Sequence, residues 1–209
     1  MPIESPSLAY ELPLWEAGAL HVAGLDEAGR GAWAGPVSAG CVILPAETGI
    51  INQLSGVRDS KLMTPRQRSI WSQTIKSTAL AYSIAFASNR EVDTLGIVPA
   101  TRLAMRRALA ALDIQPDFLL VDALKLPDIN TPQNALIKGD RHSLSIAAAS
   151  VLAKTERDAL MVEMDAQFPA YQFSRHKGYG TKIHRAALER SGPCEIHRYS
   201  FNPIKSLQD

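Results

Sequence analysis

Two adjacent carboxylates stand at the end of an apolar, strand-like segment near the start of the chain. The stretch HVAGLDEAGRGAWAGP, residues 21–36, places Asp26 and Glu27 directly before a glycine-rich turn. Two further acids follow apolar segments: Asp122 comes after LLV and Asp140 comes after LIKG. Burying carboxylates together is costly unless cations neutralise them. If the strand ends meet at one edge of a sheet, four carboxylates there would balance the charge of two Mg²⁺ ions.

This acid pattern indicates phosphodiester chemistry. Two divalent ions roughly 3.5 to 4 Å apart can activate a water and stabilise a departing oxygen. Each acid also has an ordinary structural interpretation, because Asp122 could cap the next turn and Asp140 could form an Asx turn before a helix. The adjacent Asp26 and Glu27 resist that interpretation, since neither flanking segment offers a neutralising partner in sequence.

The glycines after the acids do not form a dinucleotide-binding fingerprint. Gly29, Gly31 and Gly35 have the spacing G-x-G-x-x-x-G, which is one residue too long. The fingerprint also needs a helix immediately afterwards, whereas Pro36 and a strand-like run follow here. We instead expect a tight turn that lets the backbone approach a ligand, with Arg30 suited to a phosphate or sugar.

Composition sets broad limits on the protein class. The chain has 209 residues, 46% of them apolar, which is enough for one substantial core. The net charge of +1 neither indicates nor excludes nucleic-acid binding, because binding depends on where the charge lies. Cys41 and Cys194 form no C-x-x-C pair, which is typical of a reducing compartment. With no signal-peptide pattern and no apolar run near the roughly 20 residues of a membrane span, we expect a cytoplasmic protein without a membrane partner.

The elements that must position the acids follow from periodicity and end signals. Strands are predicted at 19–26, 36–44, 80–88, 117–122 and 134–140. Helices are predicted at 62–79, with Thr64 as N-cap and Pro65 first, at 98–113, at 143–168 after Ser143, and at 181–192. The first two strands should pair antiparallel because their connection is short. We expect an α/β protein with a loosely ordered lead-in at 1–18, one domain at 19–168, and a small helical extension at 169–209.

Six segments in order resemble the bacterial ribonuclease HII family, the type 2 ribonucleases H. They are GLDEAGRGAWAGPV, DSK at 59–61, LLVDA, IKGDRHSLSIAAASVLAK, HKGYGTKIH and HRYSF, spread from about residue 20 to residue 203. The resemblance implies a ribonuclease H-like fold, in which helices flank a mixed central sheet and a small C-terminal helical extension follows. It also implies an endoribonuclease that hydrolyses the RNA strand of RNA–DNA hybrids and cuts 5′ of ribonucleotides embedded in duplex DNA. Two-metal-ion catalysis would leave a 3′-hydroxyl and a 5′-phosphate.

Functional residues follow from this resemblance by motif. It implies that Mg²⁺ or Mn²⁺ is bound by a catalytic set of four acids: Asp26, Glu27, Asp122 and Asp140. The turn Gly29, Arg30 and Gly31 would contact the 2′-hydroxyl that distinguishes RNA from DNA. Tyr179 would stack on the sugar after the ribonucleotide, and Lys61 would contact a phosphate. We expect a monomer acting on these nucleic acids, with the preferred metal and any protein partner left open.

The chain departs from the usual family pattern at three positions. Ala32 and Trp33 stand where the family usually has Pro-Leu, and Ala123 stands where it usually has glycine. None of these is a predicted metal ligand, but Trp33 could change how the turn meets the substrate.

The C-terminal segment concentrates basic residues that the total charge hides. With only Glu189 and Glu195 opposing, it carries Arg175, His176, Lys177, Lys182, His184, Arg185, Arg190, His197 and Arg198. Placed on one face, they would contact phosphates; a solvated helix face is the other interpretation. The histidines lack zinc-site spacing, so we expect structural or phosphate-contacting roles for His176 and His184. SIAAASVLA, residues 145–153, is predicted to be a tightly packed core helix that brings Asp140 close to the sheet.

Two rival functions remain at this point. One is another nuclease or transferase with a ribonuclease H-like fold, which would cut an all-DNA duplex equally well. The other is a nucleic-acid-binding module with purely structural acids, which would bind without Mg²⁺ and would not be affected by Asp26→Asn.

Overall fold

A five-stranded mixed sheet forms the centre of the computed structural model, which describes residues 5–207. The strands are β1 (Val22–Ala28), β2 (Val37–Ile43), β3 (Ala81–Ala87), β4 (Phe118–Asp122) and β5 (Gln133–Leu136). The helices are α1 (Leu12–Glu16), α2 (Ile50–Gln53), α3 (Pro65–Thr78), α4 (Asn89–Leu95), α5 (Ile97–Ala110), α6 (Leu144–Gln167), α7 (Phe173–His176) and α8 (Lys182–Ser191). Short 3₁₀ turns include Ser60–Leu62 and Gly139–Arg141. The predicted α/β class and the order of the main elements are confirmed.

The strand order explains why acids from distant segments meet. The sheet runs β3-β2-β1-β4-β5. Strand β2 is antiparallel to both β1 and β3, whereas β1, β4 and β5 are parallel to one another. The antiparallel pairing predicted for the first two strands is therefore confirmed. Because β1 and β4 are adjacent and parallel, their carboxyl ends reach the same edge of the sheet.

Helices cover both faces of the sheet. One hydrophobic cluster joins α6 to Val22, Val42 and Leu120. The cluster on the opposite face joins α5 to Ala23 and Leu25. Alternation along β1 thus directs Val22 toward α6 and Ala23 toward α5, and by the same period of two it directs Asp26 toward α6.

Helix α6 lies unusually close to the sheet. A Cβ atom added at Gly24 of β1 would lie 2.2 Å from the Ser145 backbone, and one added at Gly40 of β2 would lie 2.3 Å from the Ala149 carbonyl oxygen. Glycine is therefore required at both strand positions for this helix-to-sheet distance. Ala147, Ala148 and Ala149 are fully buried, which confirms the predicted tightly packed core helix.

Local signals place the helix ends where the sequence predicts them. The Thr64 hydroxyl accepts a hydrogen bond from the Gln67 N–H in a capping box, and Pro65 is the first residue of α3. Ser143 caps α6 by accepting from the Ile146 N–H. Gly192, at φ +66°, ends α8. Such caps stabilise a helix by about 1 kcal/mol each.

Two strand boundaries differ from the predicted ones. Strand β1 continues to Ala28, so Asp26 and Glu27 still pair with residues of β2 and do not follow the end of the strand. The predicted strand at 134–140 stops at Leu136, because Lys138 adopts a left-handed conformation with φ +56°. Asp140 consequently lies in a 3₁₀ turn before α6 and not at a strand end.

The N-terminal segment is also more ordered than the predicted loose lead-in, residues 1–4 of which lie outside the described part. Leu8 and Trp15 are buried in the cluster beneath α6. The fully buried Glu11 carboxylate accepts hydrogen bonds from the hydroxyls of Ser143 and Ser145 at 2.6 and 2.7 Å. This segment therefore holds the start of α6, which directly follows the Asp140 turn. No helix in residues 5–207 has the length and apolar character to cross a membrane.

Candidate active site

Three of the four predicted acids converge at the shared edge of β1 and β4. Carboxylate oxygens of Asp26, Glu27 and Asp122 all lie within 4.8 Å of one another. Asp122 is the last residue of β4, as the sequence predicts. This is expected where the carboxyl ends of two parallel strands lie side by side. It brings together residues that are almost a hundred positions apart in sequence.

Asp140 lies beside this group without joining it at that distance. The Asp122 Oδ1 atom accepts a hydrogen bond of 2.6 Å from the N–H of Gly139, the residue before Asp140. On its other side, the Asp140 Oδ2 atom lies 3.7 Å from the Lys61 Nζ atom. The 3₁₀ turn thus carries the fourth acid to the edge of the cluster, through a turn rather than a strand.

Burial and mutual repulsion make the ionised cluster costly. Burial, followed by repulsion from Glu27 and Asp122, raises the pKa of Asp26 well above its usual range. Burial likewise raises the pKa of Glu27, although Arg30 opposes that change with an ion pair of 3.2 Å. The pKa values of Asp122 and Asp140 are raised mainly by burial too. The cluster therefore favours any cation that can approach it.

Two buried carboxylate oxygens are available to coordinate a cation. Within residues 5–207, Asp26 Oδ2 and Glu27 Oε2 are buried and have no hydrogen-bond partner. A buried carboxylate oxygen normally accepts at least one hydrogen bond or coordinates a metal. An all-oxygen donor set of carboxylates is the set that hard divalent cations such as Mg²⁺ and Mn²⁺ prefer. The residues present therefore fit a divalent metal.

Lys61 and a previously unassigned acid complete the electrostatics. Burial opposes the charge on Lys61, but attraction from Asp26, Asp140, Asp59 and Glu27 outweighs it and raises its pKa. Sequence reasoning missed Asp59, which is buried and caps the 3₁₀ turn of Lys61 by accepting from its N–H at 3.0 Å. The available signal was its position two residues before Lys61 in DSK.

The predicted substrate residues line one cavity next to the acids. Its volume is about 190 Å³. Among its lining residues are Glu27, Gly29, Arg30, Gly31, Lys61, Lys154 and Tyr179. A Cβ atom added at Gly31 would meet nothing within 4 Å, so the chain itself does not require glycine at that position. The structure thus brings every predicted substrate residue to the same opening.

A larger basic cavity continues from this opening. It has a volume of about 500 Å³ and shares Lys61, Lys154 and Tyr179 with the smaller cavity. Its further cations are Arg68, Arg175 and Lys177, opposed by Asp158. The near-neutral total charge therefore conceals a local excess of positive charge, which is the distribution that binds a polyanion.

The predicted basic face of the C-terminal segment is only partly present. His184, His197 and Arg198 are fully buried, and His176 is nearly so. The Nε2 atoms of His184 and His197 lie 3.0 Å apart, and the rings of His176 and His184 stack with centroids 4.5 Å apart. The three histidines pack around Phe173, and Arg198 donates to the carbonyl oxygens of Gly35 and Arg30. Burial gives His184 a structural role, whereas His176 also lines the larger basic cavity.

Two of the departures from the family pattern have local explanations. Ala123 adopts φ +53°, a left-handed conformation that glycine adopts without strain, which accounts for the usual glycine there. Trp33 packs against His184 with ring centroids 5.4 Å apart, and the Arg185 guanidinium lies 5.4 Å from its ring. Trp33 thus faces the C-terminal segment and helps to hold it against the glycine-rich turn.

The mixed sheet and its flanking helices define a ribonuclease H-like fold. The ribonuclease H2 of Pyrococcus horikoshii OT3 shares the fold with a TM-score of 0.74 at 23% identity, covering 90% of this chain and 96% of that one. The ribonuclease HII of Archaeoglobus fulgidus, solved in a complex with PCNA, has a TM-score of 0.73 at 21% identity, covering 90% of this chain and 97% of that one. At these identities the likeness shows the fold alone.

Sequence comparison identifies the family. The family described as Ribonuclease HII matches residues 23–204. The ribonuclease HII of Dehalococcoides mccartyi (strain ATCC BAA-2266 / KCTC 15142 / 195) is 48% identical over 209 residues, covering 98% of this chain and 96% of that protein. That of Synechococcus sp. (strain JA-3-3Ab) is 50% identical over 206 residues, covering 99% and 92%. The chain belongs to the ribonuclease HII family, whose members cleave RNA in RNA–DNA hybrids and at embedded ribonucleotides.

This membership confirms the predicted fold, family and enzyme class. It also decides against the rival in which the chain only binds nucleic acid. Family membership does not by itself assign the roles of individual residues in this chain.

Proposed function

We propose that this chain hydrolyses the phosphodiester on the 5′ side of a ribonucleotide, using Asp26, Glu27, Asp122 and Asp140 to hold Mg²⁺ or Mn²⁺. The observation that carries this proposal is the pair of buried, unpartnered oxygens on Asp26 and Glu27. They lie in the same cluster as Asp122, and Glu27 also lines the cavity of the predicted substrate residues. A site that needs cations is thus continuous with a site suited to a nucleic-acid strand.

The four acids would position the cations, and they would not act as nucleophiles. When bound, divalent ions would supply activation of water and stabilisation of charge on the departing 3′ oxygen. The Gly139 N–H fixes Asp122 through its 2.6 Å hydrogen bond. Lys61, 3.7 Å from Asp140, holds a positive charge at the rim, where a phosphate of the substrate can exchange for the carboxylate.

Recognition of the ribose would come from the glycine-rich turn, residues 29–31. The open space at Gly31 lets main-chain groups come within hydrogen-bonding distance of a 2′-hydroxyl. Within that turn, Arg30 forms an ion pair with Glu27, which joins the turn to the acid cluster. Tyr179 lines the same cavity, where its ring can stack on the sugar of the next nucleotide. We propose that this pair of contacts recognises an RNA–DNA junction.

The remaining expectations are also proposals. Residues 169–209 would form a C-terminal substrate-binding extension, with Arg175 and Lys177 lining the basic cavity. RNA–DNA hybrids and ribonucleotide-containing DNA duplexes would be its partners, bound by a monomer. Cys41 and Cys194 are free thiols, which supports action in the reducing cytoplasm.

Cleavage mapping tests the proposal. The substrate is a labelled DNA duplex with one embedded ribonucleotide, incubated with Mg²⁺, with Mn²⁺ or with a chelator. We expect a single cut 5′ of the ribonucleotide, dependent on metal, and leaving a 3′-hydroxyl. Asp26→Asn should abolish it, whereas Asp113→Asn, which changes an exposed acid, should not. Equal cutting of an all-DNA duplex, or undiminished cutting by Asp26→Asn, would refute the proposal.

A further inference from the structure

A fully buried arginine links the two segments proposed to read the substrate. Arg157 of α6 is 0% exposed. Its Nε and Nη2 atoms donate to the carbonyl oxygens of Pro36 and Ala34 at 2.8 and 3.1 Å. Its Nη1 atom donates to the Lys177 carbonyl oxygen at 2.9 Å. One guanidinium therefore joins the segment after the glycine-rich turn to the start of the loop that carries Tyr179.

The same guanidinium also contacts the glycine-rich turn and the Tyr179 ring directly. Gly29 has φ +92°, and a Cβ atom added there would lie 1.9 Å from the Arg157 Nε atom, so the turn packs against the guanidinium without any intervening space. The Arg157 Cζ atom lies 5.5 Å from the centre of the Tyr179 ring, within the range of a cation–π contact. The separation between the turn and Tyr179 is thus spanned by a single side chain.

Arginine is costly at this position. Burial lowers the pKa of Arg157 below its usual range, although the group stays protonated. A buried charge whose hydrogen bonds go to neutral carbonyls is a weak choice for stability alone, because well-packed apolar side chains do as well or better. The rigid, planar guanidinium of Arg157 can donate to three carbonyl oxygens in fixed directions, which a lysine ammonium on a flexible stem cannot do.

We propose that Arg157 is a positioning residue that sets the spacing between the glycine-rich turn and Tyr179, and thereby determines the preference for a ribonucleotide followed by a deoxyribonucleotide. This inference rests on the function proposed above. It adds a residue that contacts neither the acids nor the substrate and acts only through the two elements it joins.

A double-mutant cycle tests the proposal. The cycle combines Arg157→Lys with Tyr179→Ala and measures kcat/KM on the single-ribonucleotide duplex. We expect Arg157→Lys alone to lower kcat/KM at least tenfold, and to lower it less than threefold when Tyr179 is already alanine, because the positioned ring is then gone. Arg157→Lys should reduce cleavage of a continuous RNA–DNA hybrid less, because the enzyme can bind such a hybrid at many positions along its length. Independent, multiplying effects of the two substitutions would overturn the proposal.

Arg198→Lys is the matched control. Arg198 is equally buried and donates to the carbonyls of Arg30 and Gly35 at 2.8 and 3.0 Å, so it holds the glycine-rich segment without bonding to the Tyr179 loop. Its effect should multiply with that of Tyr179→Ala. Coupling as strong as that of Arg157 would show that the assignment to Arg157 is wrong.

Hydrogen exchange keeps the test decisive if Arg157→Lys loses stability. In protein that remains folded by circular dichroism, we expect faster amide exchange at residues 33–36 and 177–181, with α5 unchanged. Uniformly faster exchange would indicate a merely structural role. Failure of the wild-type protein to cut the junction substrate would instead refute the proposed function, so the two failures are distinguishable.

Discussion

The Gly139 N–H donates a 2.6 Å hydrogen bond to the Asp122 Oδ1 atom, which ties the last residue of β4 to the turn that carries Asp140. The third and fourth acids are thus linked through one main-chain contact, although they are eighteen positions apart in sequence. Movement of the turn would change both positions together. The contact occupies one lone pair of Asp122 Oδ1, and Asp122 still contributes a carboxylate oxygen to the cluster with Asp26 and Glu27.

Asp122→Asn and Asp122→Ala should separate the charge from the hydrogen bond. The asparagine oxygen can still accept from Gly139, so we expect a folded protein with at least a hundredfold lower kcat, because the metal-binding charge is lost. Alanine should add a loss of about 1–3 kcal/mol in unfolding free energy, since it leaves a buried N–H unsatisfied. Chemical denaturation and steady-state cleavage assays measure the two effects. Equal stability of the two variants would contradict this assignment.

Asp26→Asn should stabilise the metal-free protein while it abolishes activity. A raised pKa in the folded state means that the ionised carboxylate destabilises the fold at neutral pH, and that this cost disappears as the pH falls through the folded pKa toward the unfolded value. We expect Asp26→Asn to be more stable than the wild type at pH 7.5, by a margin that shrinks on acidification. Denaturation at several pH values in a chelator measures the gain.

The metal provides the control for this stabilisation. Added Mg²⁺ or Mn²⁺ should raise the melting temperature of the wild-type protein and have less effect on Asp26→Asn, because a ligand that binds only the folded state stabilises it. If metal-free Asp26→Asn is less stable than the metal-free wild type at pH 7.5, repulsion among the acids does not limit the stability of the fold.

The strands that carry Asp26 and Asp122 could be predicted from local signals, whereas the parallel pairing of β1 with β4 that brings the two acids together could not. Apolar runs mark β1 and β4, and the carboxyl ends of such strands tend to share an edge. The position of Asp140 could not be predicted in detail, since NALIKGD is apolar enough for a strand and gives no sign that Lys138 adopts a positive φ. That conformation accompanies the hydrogen bond from Gly139 to Asp122, which depends on tertiary structure.

The buried polar residues were the least predictable part. His184 lies within the last predicted helix, and His197 and Arg198 follow it, but for all three the residue type alone suggests the surface. They are buried because their polar atoms find partners in distant segments, as when Arg198 donates to the Arg30 carbonyl. Arg157 was missed for the same reason: its three partners are main-chain carbonyls, which no side-chain motif records.

Gly31→Ala should lower activity without lowering stability. Space is open around this position and its φ is not positive, so alanine fits the free protein. If the main chain there contacts the ribose, an added methyl group should raise KM or lower kcat for the single-ribonucleotide substrate at least tenfold. Gly49→Ala is the matched control, because Gly49 also has open space and an ordinary φ of −62° and lies away from the site. Unchanged cleavage by Gly31→Ala would contradict the proposed contact.

The histidine cluster should make the protein sensitive to acid. Burial is the main cause that lowers the pKa values of His184 and His197 to about 4. The unfolded chain then binds more protons than the folded protein between pH 6.5 and pH 4, so stability is complete above pH 6.5 and falls as the pH drops through this window. At about 1.4 kcal/mol per unit of pKa shift, we expect a loss on the order of 3 kcal/mol from a single such histidine by pH 4. His184→Gln should flatten this slope relative to the wild type, which denaturation curves across the window will measure.

Phe173→Leu is the control, because it removes a neighbour of the same rings without removing a titratable group. It should therefore lower stability equally at every pH. A slope that His184→Gln leaves unchanged would show that the acid sensitivity arises elsewhere.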